Sequence, residues 1–139
     1  MEKKWNEEVV DLLKDLNDLK TASYTDYTKF IEILYSWIDQ YFDKTNFEDS
    51  RLLNYQKNSS RISLTVLQKR LVIWVNAAEE VIRINEINDI QEHVTINEFH
   101  INTFKSRENK ILSRKLLFEI LDSFTKSAIE NYENERIYI

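Results

Sequence analysis

Apolar residues at the beginning of the chain follow a helical spacing. From Trp5 to Leu19 they recur at steps of three or four, while charged residues occupy the opposite side. This spacing predicts an amphipathic helix over residues 3–20. A polar break follows, and a second helix is predicted over 25–43, where two adjacent apolar stripes indicate contact on two sides.

The middle of the chain carries a capping-box spacing and a long apolar stretch. Thr45 and Glu48 have the spacing of a helix N-cap and its third residue, which predicts a short helix over 46–57. A longer helix is predicted over 62–86 from the stripe Leu64, Leu67, Leu71, Trp74, Ala78 and Val81. The apolar run 72–75 alone would also suit a β-strand, but the surrounding period favours the helix.

Two segments complete the predicted elements. Residues 88–104 suit either one or two short helices, which capping-box spacings favour, or a hairpin turned at Asn97-Glu98. The helices are preferred because a two-residue hairpin turn favours Asn-Gly, and Glu98 would need a positive φ. A last helix is predicted over 107–134, with Ser106 as its N-cap.

The sequence contains no glycine, no proline and no cysteine. Tight β-hairpins and bulges commonly use glycine, whereas helices joined by polar turns do not need it. The sequence therefore predicts an all-α fold, a single-domain antiparallel bundle of four to six helices over residues 1–139. Phosphate-binding loops, dinucleotide fingerprints and nucleophile elbows all require glycine and are excluded.

Cellular location is inferred from two further features. A chain without cysteine has no disulfide framework or thiolate metal site and suits a reducing compartment. No apolar run approaches the roughly 18 residues of a membrane span, and no signal-peptide core precedes the first helix. We therefore expect a cytoplasmic protein with no membrane partner.

Charge alternates in sign along the chain, with a net value of −5. The stretch 105–115 holds five basic residues against one acid, and within it Arg107, Lys110 and Arg114 are the candidate nucleic-acid contacts. A second basic stretch would extend that surface through Lys57, Arg61, Lys69 and Arg70. The alternation is equally typical of antiparallel helices with complementary flanks, and the low pI favours that interpretation.

Candidate catalytic chemistry is sparse. His93 and His100 are seven residues apart and would share one face of a helix, with Asp89 as a third candidate metal ligand. Acidic residues are common throughout the chain, so this spacing is more typical of ordinary histidines. No local pattern marks a nucleophile. We therefore predict no enzyme activity, no catalytic residues, no metal and no cofactor.

Aromatic residues cluster in the second predicted helix, and the chain ends in apolar residues. These rings would either fill the core of the bundle or form a partner-binding face, since tyrosine and tryptophan are favoured at the centres of protein interfaces. The candidate protein contacts are Tyr27, Tyr35, Trp37, Tyr41, Ile137, Tyr138 and Ile139. The predicted function is non-enzymatic binding of another protein, as by an inhibitor, immunity protein, antitoxin or small complex subunit. The alternative is a small nucleic-acid-binding subunit of a larger assembly, and the chain could also form homo-oligomers.

Overall fold

A computed structural model describes residues 5–23, 27–45, 47–88 and 90–137 of the chain. Two helices come first, a run of strands follows, and one helix ends the described chain. The elements are α1 (Trp5–Ser23), α2 (Thr28–Phe42), β1 (Leu53–Lys57), β2 (Arg61–Val66), β3 (Lys69–Asn76), β4 (Val81–Ile87), β5 (His93–His100) and α3 (Arg114–Ile137). The fold is therefore α+β, and the predicted all-α bundle is wrong.

The five strands form one antiparallel sheet in sequential order, so each strand pairs with its neighbours along the chain. One side of this sheet packs against the helices, and we call it the helix-facing side. Its buried residues are Leu53, Ile62, Leu64, Val66, Leu71, Ile73, Val75, Ile82, Ile84 and Phe99. They form one core with apolar residues of all three helices, among them Leu19, Phe30 and Phe124. The opposite side, which carries exposed Arg61 and Arg70 and also buried Val72 and Asn85, is called the open side.

The helix predicted over 62–86 is replaced by most of three strands. In β2, buried residues alternate with more exposed ones, which is the period of a half-buried strand. Apolar residues over 62–86 also recur at intervals of three and four, and that coincidence produced the apparent helical stripe. Branched and aromatic residues such as Val72, Ile73 and Trp74 favour strands, and 72–75 lies in β3, so the preference for a helix here is wrong.

Turns without glycine explain why the composition misled the prediction. Eight described residues other than glycine have a positive φ, so the chain makes its sharp turns with ordinary side chains. The turn between β2 and β3 has Leu67 at φ 48° and Gln68 at φ 71°, the two positive values typical of a two-residue hairpin turn. Each such residue costs roughly 1–2 kcal/mol. The core contacts of the sheet outweigh that cost.

Two other predicted helices are also wrong. Within the helix predicted over 46–57, residues 48–52 form bends and turns, and β1 follows. Residues 88–104 contain β5, which runs straight through Asn97 and Glu98 and does not turn there. The chain reverses earlier, where the Asn88 side-chain Oδ1 accepts hydrogen bonds from the backbone N–H groups of Ile90 and Glu92.

The first and second predicted helices are confirmed, with small shifts of their ends. The last helix is confirmed only from Arg114 onward, so the prediction that Ser106 caps it is wrong. Ser106 is buried, and its Oγ accepts a hydrogen bond from the backbone N–H of Lys110 at 3.2 Å. It therefore stabilises a turn before the helix. The N-cap is Ser113, whose Oγ accepts from the backbone N–H of Leu116 at 3.2 Å.

Candidate partner-binding groove

A buried carboxylate joins the first and last helices. Asp15 of α1 is only 3% exposed. Its Oδ2 accepts the backbone N–H of Arg114 at 2.9 Å, and its Oδ1 accepts the Nε of the same residue at 3.0 Å. A negative side chain at this position complements the positive end of the α3 dipole. Arg114 also donates to Oε1 of Gln40 at 3.2 Å, so the three helices meet at this point.

A groove of about 940 Å³ opens between α1 and α3 around this ion pair. Asp15, Gln40 and Arg114 are among its polar lining residues, and residues of the loop before α3 also line it. Its apolar lining consists of Val9, Leu12, Ile111, Leu116 and Phe118. A second concavity, beside the β2–β3 turn, is about 180 Å³. The larger groove is therefore the main candidate site, since binding clefts are concave and mostly apolar.

The N-terminal half of α1 is incompletely covered. Leu19 is fully buried, whereas Leu12 is only partly buried. On the adjacent face Val10 is 47% exposed and Leu13 is 58% exposed. One end of α1 thus belongs to the core, while the other leaves apolar side chains beside the groove.

Charges of opposite sign flank the groove. On the α1 side it is lined by Glu8 and Asp11, and on the side of the loop and α3 by Lys110 and Lys115. Over its whole length α1 carries five acids against two lysines: Glu7, Glu8, Asp11, Asp15 and Asp18 against Lys14 and Lys20. Further along α3 the groove is again acidic, at Glu119 and Asp122. An elongated ligand would therefore meet a defined charge pattern along each wall.

The hydroxyl of Tyr41 supports the acidic end of this groove. It donates to Oδ1 of Asp122 at 2.6 Å, and its ring packs edge-on against Phe118 with centroids 5.4 Å apart. Burial raises the pKa of the Tyr41 hydroxyl above its usual value, and the hydrogen bond to Asp122 raises it further. Tyr41 thus holds two lining residues of the groove, Asp122 and Phe118, in place.

The basic residues predicted to contact nucleic acid lie in three different settings. Arg114 is held by Asp15 and Gln40, Lys110 lines the groove, and Arg107 is exposed in the preceding loop and does not line the groove. Strand alternation also divides the second basic stretch. By register Arg61 and Arg70 lie on the open side, whereas Lys57 and Lys69 lie on the helix-facing side.

The aromatic residues predicted to contact a protein mostly pack on the core. Trp37 is 3% exposed, and Tyr27, Tyr35 and Tyr41 are partly buried against the core cluster. Tyr138 and Ile139 lie outside the described residues, as does the side chain of Ile137.

The predicted histidine pair is separated by the strand. His93 and His100 lie at the two ends of β5, and seven residues of strand span roughly 23 Å. One metal ion cannot bind both at that distance, and Asp89 lies outside the described residues. Within the described ranges there is no group of three side chains suited to hold a metal ion.

Sequence reasoning missed Asp15 and the groove as a whole. Asp15 follows Leu12 by one turn and precedes Leu16 and Leu19, which places an acid within the apolar stripe of the first helix. A charge in that position needs a partner when it is buried. That signal was available, although the partner, Arg114, is 99 residues away along the chain.

Comparison of this chain with protein-family models, with curated proteins and with solved structures finds no match. None of the helices in the described part of the chain has the length and hydropathy that a membrane crossing requires.

Proposed function

We propose that this protein is a non-enzymatic binding module that holds an amphipathic helix of another protein in the groove between α1 and α3. The observation that supports the proposal is the apolar lining of the groove, flanked by charges of opposite sign. Small inhibitors, immunity proteins, antitoxins and complex subunits are the kinds of protein that act by such binding. A cytoplasmic location belongs to the same proposal and is compatible with the cysteine-free sequence.

A helical occupant suits the chemistry of the groove. Two flanking helices with apolar side chains between them form the arrangement that receives apolar residues spaced at i, i+3, i+4 and i+7. The occupant would place basic residues toward Glu8 and Asp11 and acidic residues toward Lys110 and Lys115. This pattern defines one direction for the helix, because the reversed direction would bring like charges together.

Capture followed by peptide binding tests the proposal. Wild-type protein and Leu12→Asp are used to retain proteins from native lysate, and the helical segments of proteins retained only by the wild type are synthesised. Calorimetry then measures their affinity. We expect Leu12→Asp to weaken binding at least tenfold, about 1.4 kcal/mol, because it places a charge in the apolar wall.

The matched control is Ile129→Asp, which makes the same kind of change at a residue of α3 that is 47% exposed and does not line the groove. It should bind the peptide like the wild type. Equal affinity of all three proteins would show that the partner binds elsewhere. Circular dichroism and thermal unfolding of both variants establish that they are folded. Binding of a small apolar molecule, with no helical peptide bound, would also contradict the proposal.

A further inference from the structure

The strand β5 forms one edge of the sheet and pairs only with β4 in the described chain. Most of its residues are exposed, including Val94 at 48% and Ile96 at 39%, and Ile90 in the preceding turn is 73% exposed. The strand contains neither lysine nor proline, the residues that commonly protect an edge from pairing. The edge is therefore available to another chain from His93 to Glu98, whereas the backbone N–H of His100 already donates to the carbonyl of Lys105.

The backbone groups of β5 that point away from β4 follow from the hydrogen bonds at its ends. In an antiparallel pair, bonded and non-bonded positions alternate, and the non-bonded residues of an edge strand direct their N–H and C=O groups outward. Asn88 donates to the carbonyl of Glu92 at 3.0 Å, which makes these two residues a bonded pair. In the register of β4 and β5, the backbone groups of His93 and Thr95 therefore point outward.

The other half of β5 has the opposite alternation because the register shifts within the strand. Ile101 donates to the carbonyl of Glu80 at 2.9 Å, and counting back from this bonded pair directs the backbone groups of Glu98 outward. The shift leaves Ile96 without a partner on β4. Such a bulge reverses which residues face the neighbouring strand.

This reversal makes β5 complementary to itself. An antiparallel second copy, related by a two-fold axis between Thr95 and Ile96, brings His93 opposite Glu98 of the second copy and Thr95 opposite Ile96. The backbone groups of His93, Thr95 and Glu98 point outward, and Ile96 has no register partner on β4. A carboxylate then meets an imidazole at two symmetric positions. Glu98 already accepts a hydrogen bond from Arg83, and it can accept another from His93 because a carboxylate accepts several.

We propose that two copies of this chain associate through antiparallel pairing of their β5 strands, which joins the two sheets into one continuous sheet. The isologous arrangement closes the edge in both copies. It partly buries Ile96 and Val94 at the centre of the interface. The groove between α1 and α3 takes no part, so Leu12→Asp should dimerise like the wild type. Failure of this proposal is therefore distinguishable from failure of the groove proposal.

Light scattering coupled to size exclusion tests the association over a range of protein concentrations. The wild type should approach twice the monomer mass. Ile96→Lys should raise the dissociation constant of the dimer at least tenfold, because two lysines would meet near the axis. His93→Glu should also raise it, since it sets carboxylates opposite Glu98 twice. Ile129→Lys, an exposed apolar-to-lysine change on α3, is the matched control and should leave the dimer intact.

Amide hydrogen exchange gives a readout that separates pairing from loss of folding. The N–H groups of Thr95 and Glu98 should exchange slowly at high concentration and quickly on dilution. The N–H of His100, which donates to the carbonyl of Lys105 at 3.1 Å within the same chain, should not change. A monomer at every concentration, a dimer that persists in Ile96→Lys, or a dimer with unprotected Thr95 and Glu98 would each overturn the proposal.

Discussion

The two edge strands of the sheet, β1 and β5, differ in how far other parts of the chain cover them. At β1, the carbonyl of Tyr55 points away from β2 and accepts a hydrogen bond from the hydroxyl of Tyr35 on α2 at 3.4 Å. The Tyr55 ring stacks on Phe42 with centroids 5.7 Å apart, and its hydroxyl donates to Oδ1 of Asp39 at 2.7 Å. On β5, the described residues cover the His100 end, where the backbone N–H donates to the carbonyl of Lys105 at 3.1 Å, and no helix covers the strand from His93 to Glu98 as α2 covers β1. Protection of an edge thus comes from a neighbouring helix rather than from the strand itself.

The largest effect should come from removing the aromatic cover of β1. Tyr55→Ala loses the ring contacts with Tyr35 and Phe42 and the hydrogen bond to Asp39, and should lower the free energy of unfolding by about 2 kcal/mol. Urea unfolding measures the loss. Gln56→Ala, at the next and exposed position of the same strand, should change stability by no more than about 0.5 kcal/mol. Equal losses in Tyr55→Ala and Gln56→Ala would show that the aromatic contacts of Tyr55 do not stabilise the β1 edge.

The same cover should weaken at alkaline pH. Burial raises the pKa of Tyr55, and the hydrogen bond to Asp39 raises it further; burial likewise raises the pKa of Tyr35. The folded protein therefore holds these protons above pH ~10, where tyrosines of the unfolded chain release theirs. Their contribution to stability is complete below that pH and is lost as the pH rises above it. Between pH 8 and pH 11, the urea midpoint should fall less steeply for Tyr55→Phe than for the wild type. Equal slopes would show that ionisation of Tyr55 does not cause the loss of stability.

On the β5 side, a buried amide next to the bulge should cost stability. Asn85 is 6% exposed, and its Oδ1 has no hydrogen-bond partner among the described residues. Asn85→Val removes the unsatisfied acceptor and should raise the free energy of unfolding by about 1 kcal/mol. Asn76→Val is the contrasting variant, because Asn76 Oδ1 accepts the backbone N–H of Glu79 at 3.2 Å. It should lower stability, and a loss in both variants would show that Asn85 is satisfied.

The smallest effect is expected at the turn between β2 and β3, which contacts the segment just before β1. Gln68 has φ 71°, and its N–H donates to the carbonyl of Arg51 at 3.0 Å. Gln68→Gly relieves the backbone strain and should stabilise the protein by about 0.5 kcal/mol, since the flexibility of glycine in the unfolded chain offsets part of the gain. Thermal unfolding measures the change. Gln56→Gly, the same substitution in an extended strand, should instead destabilise the protein.

How much of the fold could be predicted differs between its parts. α1 and α2 were found from their apolar stripes because each stripe meets the core along one helix face, which local spacing reveals. The strands were missed because 62–86 contains both periods, and the absence of glycine was given too much weight. Strand formation depends on partners distant in sequence, so local patterns are weaker evidence for it.

Only single lining residues of the candidate groove could be predicted, and not the groove itself. Val9 and Leu12 were placed on the apolar side of the first helix, and Lys110 and Arg114 were named for a different ligand. That they surround one groove depends on α1 and α3 lying side by side. The ion pair of Asp15 with Arg114 links residues at opposite ends of the chain, and no spacing rule connects them.

The sequence alone determined where the first two amphipathic helices form and which glycine- or cysteine-dependent chemistries are excluded, because both depend only on residue types and near neighbours. The tertiary structure decided the sheet and the side of it on which each cation lies. It also decided which edge is covered, through Tyr35 on a helix 20 residues away from Tyr55. The physical reason is that strand pairing and burial are set by long-range partners, whereas helical hydrogen bonds are local.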